Sequence, residues 1–486
     1  VVLGAIMSIL DVTVVNVALR VLSEDFDSPL STIQWVATGY TLALATVIPI
    51  TGWAADRFGT KRLYMLSLGL FMLGSVAAGL AWSAESLIAF RVLQGFGGGM
   101  IMPAGMTILT RAAGPERLGR VMSIVGIPML LGPIIGPILG GWLVDDVSWH
   151  WIFFINVPIG LLALFMAARI LPRDVPAHQH TLDLRGLLLV SPGLAALVYG
   201  LSNSASAGGF TAPDVFGPIV AGLVLIALFV RHALRTDEPL VDMRLFTNRT
   251  FSAASGTLVL FAIAVFGAML LLPLYLQTVR GESALTSGLL LAPQGIGALL
   301  TMPIAGLLTD RIGPGKIVLT GLPLVFLSLL GLTQLTADTS YWVLGGELFL
   351  MGMGMGMTMM PVMTGAMATL RSAAVARAST TLNVIQQVGA SVGTATMAVL
   401  LTSAMPGDGG IEGGAESLAD LPPAVVAKAL DLMAEAYAST FGKALGIAML
   451  ALLPALLLPR RKITPAPPEL DENGRPIEAA PVILAH

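Results

Sequence analysis

One short segment, Gly52-Trp-Ala-Ala-Asp56-Arg57-Phe-Gly59-Thr-Lys61-Arg62, constrains this chain more than any other. A fainter copy, Gly306-Leu-Leu-Thr-Asp310-Arg311-Ile-Gly313-Pro-Gly315-Lys316, recurs in the second half. Each copy lies between two long apolar runs. A charged turn repeated between paired apolar helices marks a membrane protein built from two related halves.

Composition agrees. The chain has 486 residues, 55% hydrophobic and 11% charged, with mean hydropathy +0.85, whereas soluble domains carry about 25% charge. So apolar a chain must hide its surface in lipid, and its runs are too many and too long for a signal peptide on a soluble core. Runs near span length satisfy their backbone only as helices, so an all-α membrane protein is expected. A net charge of −3 gives no reason to expect nucleic acid. There is no cysteine to report a redox compartment. His178 and His180 read as a solvated loop pair, and no metal is expected. The chain opens on Val1 inside an apolar run, which implies a short preceding segment.

Fourteen spans are expected, near 1–19, 34–54, 63–82, 87–109, 119–142, 151–171, 185–203, 215–233, 251–273, 284–308, 316–336, 342–362, 378–402 and 436–458. With residues 52–62 placed inside, only Arg20, Arg280 and Lys428 of the 26 basic residues fall outside, and Arg91 and Lys443 fall within spans. That bias sets the charged turn on the cytoplasmic side, and an even count puts both ends there. The turn follows spans 2 and 10. The expected division is therefore a six-helix bundle over 1–173, an inserted helical hairpin over 174–236, and a second six-helix bundle over 237–459. The second bundle carries an outside loop at 403–435, and a polar, Pro-rich tail over 460–486 is expected to be disordered.

Charges inside lipid need a reason. Counted at the helical rise, Asp11 lies about 12 Å from the outer end of its span, Arg91 about 6 Å and Glu347 about 8 Å. Burial disfavours a carboxylate's charged form, so an acid there can take a proton on one side and release it on the other. Asp11 is the prime proton-coupling candidate, with Arg91 as a mobile counter-charge and Glu347 as a second acid. The plain alternative is a permanent Asp11–Arg91 pair that only locks helices. Lys443 can snorkel to the interface. In span 5, Gly132, Gly136 and Gly140 share one helix face, interleaved with Pro133 and Pro137 and followed by Gly141. Small residues allow close helix approach and prolines bend the helix, the makings of a seal that opens. In span 12, Met355 belongs to a methionine stripe suited to varied apolar partners or to core filling. Asn16, Gln94, Asn156, Asn383 and Gln387 are polar candidates for the substrate path or for interhelical bonds. In the charged turn, Asp56 is expected at a neighbouring helix N-terminus, held by Arg57, Lys61 and Arg62, while Gly59 permits the turn and Gly52 precedes it. Asp310 and Arg311 would form a weaker copy of this gate. Gly315-Lys316 precedes Ile317, so no phosphate-binding loop is present, and energy must come from an ion gradient.

Several motifs agree in order with one family. They are Leu10-Asp11-Val-Thr-Val-Val-Asn16-Val-Ala-Leu19, the Gly52–Arg62 turn, Arg91-Val-Leu-Gln94-Gly95 running on to Pro103, and Gly132-Pro133-Ile-Ile-Gly136-Pro137-Ile-Leu-Gly140-Gly141. Ser148-Trp-His150-Trp-Ile-Phe-Phe-Ile-Asn156-Val-Pro-Ile-Gly160 completes the set. The chain resembles the fourteen-helix drug:proton antiporters of the major facilitator superfamily, the EmrB/QacA type. The resemblance implies two six-helix bundles plus the inserted hairpin, alternating access, and proton entry driving export. It places Asp11 and Arg91 in the proton or substrate path and has the span-5 motif favour export. It implies no enzyme activity and no cofactor beyond the proton gradient. The expected partners are lipophilic, often cationic, small molecules, protons and the bilayer of the inner (plasma) membrane, with the chain acting as a monomer. The chain departs from the pattern at Arg20, Thr60 and His150, the last adding a titratable group at the outer surface. Two other readings stand beside multidrug export: a dedicated exporter of one metabolite, lipid or siderophore, and a membrane sensor or scaffold without transport.

Overall fold

A computed structural model describes residues 1–113, 117–171, 181–204, 209–370, 374–405 and 423–461. His178, His180, most of the expected outside loop and the tail beyond 461 lie outside them. The first part of the chain folds as α1 (Val2–Asp25), α2 (Leu30–Val47), α3 (Ile50–Phe58), α4 (Thr60–Gly79), α5 (Ala84–Ala113), α6 (Leu118–Trp142), α7 (Trp151–Phe154) and α8 (Asn156–Ile170). Next come α9 (Leu184–Asn203) and α10 (Pro213–Ala233), then a 3₁₀ turn, Met243–Thr247, in the connector. The last part contains α11 (Arg249–Thr278), α12 (Ala284–Leu290), α13 (Ala292–Ile312), α14 (Pro314–Leu332), α15 (Tyr341–Ala368), α16 (Val375–Ala404), α17 (Pro423–Leu450) and α18 (Leu452–Ala455).

Twelve helical stretches among the described residues are long and apolar enough to cross a membrane. The bent pair Thr32–Val47 and Ile50–Phe58 makes a thirteenth. The count of fourteen requires α6, which falls where the fifth span is expected. Every expected span coincides with a helix or a broken helix, and the breaks have causes. Pro49 follows α2 and lacks the N–H that would continue it, so α3 leaves at 57°. Helix starts carry their own donors' partners: the Asn248 side chain accepts from the amides of Thr250 and Phe251, and Ser340 accepts from Trp342.

The charged turn is tight: residues 50–58 are helical, and Gly59 alone separates α3 from α4. One expectation is corrected: the outside loop is shorter than 403–435. Helix α16 runs to Ala404 and α17 begins at Pro423, so Lys428, Asp431 and Glu435 are helical. The periodic apolar face over 425–437, which buries Met433, Ala434, Ala436 and Tyr437, outweighs the local acidity.

The packing repeats. Helix α5 lies along α2 and α4, and α1 along α6; likewise α15 lies along α13 and α14, and α11 along α16. By span order these are the same pairings. The turns repeat as well. Gly59 closes α3 with φ 91°, ψ 142°, and Gly313 closes α13 with φ 92°, ψ 150°. Only glycine is at ease there. Helices α9 and α10 pack on each other, and α9 also lies against α2 and α16. Across the middle, α6 packs on α13 and α15 while α16 packs on α3 and α5.

Alanine at Gly59 or Gly313 should cost about 1–3 kcal/mol of stability through backbone strain. The loss should be larger at Gly313, where a new Cβ would run into the backbone of Arg461. Thermal unfolding in detergent checks this, and unchanged midpoints would show that the turns tolerate another conformation.

Candidate functional site

The centre of the first half is a carboxylate and the groups that compensate it. Asp11 on α1 and Arg91 on α5 are each 1% exposed. Arg91 Nη1 donates to Asp11 Oδ2 at 2.5 Å and to Gln94 Oε1 at 2.6 Å, while its Nε donates to the Val36 carbonyl at 3.2 Å. The guanidinium lies 4.2 Å from the Tyr40 ring centroid, so the ring face supports its charge. Gln94 Nε2 donates to Asp11 Oδ1 at 2.7 Å. Asn156 Nδ2 donates to the same oxygen at 3.1 Å and to Ser75 Oγ at 3.0 Å. Ser75 Oγ in turn donates to the Phe153 carbonyl at 2.9 Å. The carboxylate therefore receives one cation and two amides, a charge-assisted set suited to a low-dielectric site.

The glycine face of α6 meets α1 beside this carboxylate. A Cβ on Gly132 would strike Ile9, and one on Gly136 would strike Thr13. A Cβ on Gly140 would lie 3.2 Å from Val14. Thr13 Oγ1 reaches the Gly132 carbonyl at 3.3 Å. Gly141 faces open space. The side chains of Pro133, Pro137 and Asn16 lie outside the described ones. The opposite end of α6 meets the second half: a Cβ on Gly126 would meet Met302 and Met360, and one on Gly119 would meet Gly306 and Asp310.

Asp310 accepts from the backbone amides of Gly119 at 2.8 Å and Arg120 at 3.2 Å, at the N-terminus of α6 and across the midline. Unsatisfied amides and the helix dipole both favour a carboxylate there. Asp56 pairs with Arg111 of α5 at 3.3 Å, and the same guanidinium donates to Thr60 Oγ1 at 2.9 Å. Lys61 donates to the Ala168 carbonyl at 2.8 Å and the Leu171 carbonyl at 2.5 Å, capping α8, and Arg57, Arg62 and Arg311 are exposed. Gly52 presses its backbone on α16, where a Cβ would lie 3.1 Å from Thr380 Oγ1.

The remaining candidates are scattered. Glu347 is not brought to Asp11: it lies on α15 with its carboxylate against Gly331 of α14. Gln94 and Asn156 both bond to Asp11. Asn383 donates to the Ser379 carbonyl of its own helix at 2.8 Å. Gln387 lines a narrow cleft with Ala45, Ile48 and Leu194. Met355 is buried and accepts from Gln294 Nε2 at 3.2 Å. His150 stacks on Trp149 at 3.7 Å.

The family description "Major Facilitator Superfamily" matches residues 1–394. This chain belongs to the major facilitator superfamily. It is thus a multi-pass membrane transporter and not an enzyme. It is 47% identical over 481 residues to the multidrug resistance protein B homolog of Mycobacterium tuberculosis (strain ATCC 25618 / H37Rv), covering 95% of this chain and 89% of that one. It is 33% identical over 406 residues to the tetracenomycin C resistance and export protein of Streptomyces glaucescens, covering 82% and 75%. Among solved structures, the human organic anion transporter MFSD10 (TETRAN) shares the fold with TM-score 0.58 at 16% identity, over 92% of this chain and 97% of that one.

Sequence reasoning missed Tyr40, Ser75, Arg111 and the Val36 carbonyl. None carries a local signal, because each acts through a neighbour that only the helix packing supplies.

Arg91→Met should strip Asp11 of its cation and cost about 3–5 kcal/mol. The double change Asp11→Leu with Arg91→Met should recover most of that loss. Thermal unfolding of the purified variants decides it; equal losses for single and double changes would show that the pair is not energetically coupled.

Proposed function

We propose that this superfamily member is a proton-coupled exporter of lipophilic, often cationic, compounds. It sits in the inner (plasma) membrane with both termini cytoplasmic. It works by alternating access between bundles 1–173 and 237–459, with 174–236 as an inserted hairpin, and draws on the proton gradient without a cofactor. The names of its relatives, one for multidrug resistance and one for resistance and export, support this substrate class. The observation that carries the coupling is the Asp11 network. A proton on Asp11 removes the charge that Arg91 faces. The guanidinium is then left buried with the Gln94 and Val36 oxygens and the Tyr40 ring face. An uncompensated buried cation is costly, so the closed arrangement loses its reason to persist.

The path from that event to the midline is short. Asp11 rides on α1 between the contacts that α1 makes with the α6 glycines. Helix α6 ends on Asp310 of the other half. A shift of α1 therefore loosens the seal on α6 and bears on the Asp310 clamp at its far end. Gly132, Gly136 and Gly140 are the seal, and Asp56, Arg111, Gly59 and Asp310 are the gate at the charged-turn end. Glu347 stands apart from this chain of contacts and takes no part in this reading. A dedicated exporter of a single compound is the second reading, favoured by the tetracenomycin C export relative.

Drug accumulation in cells, with and without an uncoupler and across a chemically diverse panel, tests the proposal. Wild-type protein should lower accumulation of several unrelated compounds, and the uncoupler should abolish the effect. Asp11→Asn should insert normally yet lose at least tenfold in proton-driven efflux, about 1.4 kcal/mol of coupling. Normal pumping by that variant removes Asp11 from the mechanism. Gly136→Leu should also stop transport by propping α6 off α1, and wild-type rates there would dismiss the seal.

A further inference from the structure

Helix α16 crosses from the second half to lie on α3 and α5 of the first. Its first turns are rich in hydroxyls, and all but one are satisfied. Ser379 Oγ donates across the midline to the Pro103 carbonyl at 3.1 Å. Thr381 donates to the Arg377 carbonyl at 2.8 Å. Thr380, between them, is 0% exposed, and its hydroxyl has no hydrogen-bond partner among the described residues. A threonine in a membrane helix ordinarily closes on the carbonyl four residues back. Thr46, Thr257, Thr309, Thr358 and Thr440 all do so here. Thr380 instead turns its hydroxyl to the junction with Gly52 of α3, where a glycine Cβ would lie 3.1 Å from it. Thr110 and Thr364, at the same end of α5 and α15, also hold buried, unpartnered hydroxyls.

We infer that Thr380 is a positioning residue of the transport cycle, whose orphaned hydroxyl keeps the seam between α3 and α16 from closing too tightly. A buried donor without a partner is penalised, and the penalty vanishes when the halves part and water reaches it. The Asp310 clamp and the Ser379–Pro103 bond hold the charged-turn end shut; the Thr380 hydroxyl opposes them. A carrier must visit both states, and a state favoured too strongly stalls it. This inference rests on the alternating-access reading above.

The chain has no cysteine, so a single Ala376→Cys reports the seam. Ala376 belongs to α16 yet is buried, 1% exposed, in a core cluster of the first half. The full-length protein in nanodiscs is treated with a charged maleimide, which reaches both faces. Adding Thr380→Val, which keeps the shape and removes the hydroxyl, should slow labelling about fivefold or more and raise the unfolding temperature. Adding Thr380→Ser, which keeps the hydroxyl, should leave the labelling rate near that of Ala376→Cys alone. Equal rates for the Val and parent forms, or slowing by Ser as large as by Val, overturn the inference alone. An Ala376→Cys protein that never labels, with or without an imposed pH change, overturns alternating access and the inference with it.

Discussion

A carboxylate held in oil must be compensated or neutral, and Asp11 is compensated by partners from α5 and α8. Those partners are in turn held by the Val36 carbonyl of α2 and by Ser75 of α4, itself bonded to the Phe153 carbonyl. The first half is thus packed around one negative charge. Its packing cannot be altered at α1, α5 or α8 without disturbing that charge. The same dependence runs the other way: a change in the charge is felt by all of them. This is the physical content of coupling. The permanent-lock reading of the pair and the mobile reading share this closed geometry. They differ only in whether a proton reaches Asp11.

The repeat in the sequence is geometric as well as chemical. Both turns use a glycine with nearly the same backbone angles. Asp310 is held by two amides of α6, which belongs to the opposite half. Asp56 is held by Arg111, which belongs to its own half. Counting basic residues near Asp310 therefore says little about its hold, because backbone donors carry no sequence signature. On the α6 side, the Asp310 clamp joins the halves. On the α16 side, the Gly52 contact and the Ser379 bond also join them.

The fold was legible because lipid leaves few choices: long apolar runs become helices, and charged turns mark one side. The site was legible where a residue was out of place for lipid, as with Asp11 and Arg91, or where small residues fell on one face, as with Gly132, Gly136 and Gly140. It was not legible where function lies in pairing. Gln94 and Asn156 read equally as path-lining groups or as interhelical bonds, because their partner Asp11 is far off in sequence. Glu347 read as a second coupling acid because depth alone cannot say which helix a side chain meets. The kink at Pro49 was legible in principle, since proline inside an apolar run is a stated break signal.

The inserted hairpin has a physical role beyond topology. Helix α9 lies against both α2 and α16, so it sits where the first and second halves would otherwise meet directly on that side. Its small residues allow the approach: Gly193 and Gly200 pack on α10, and Ser191 donates to the Thr46 carbonyl of α2 at 2.6 Å. At its base, Asp183 accepts from the Gly186 amide and pairs with His232 of α10 at 2.8 Å. This fixes the hairpin as one unit. A rigid pair wedged between α2 and α16 separates the two seams in character. The α6–α13 seam is bare helix on helix, where glycines allow close contact. On the other side, α9 lines the approach of α16 to α2, while α16 also packs directly on α3 and α5.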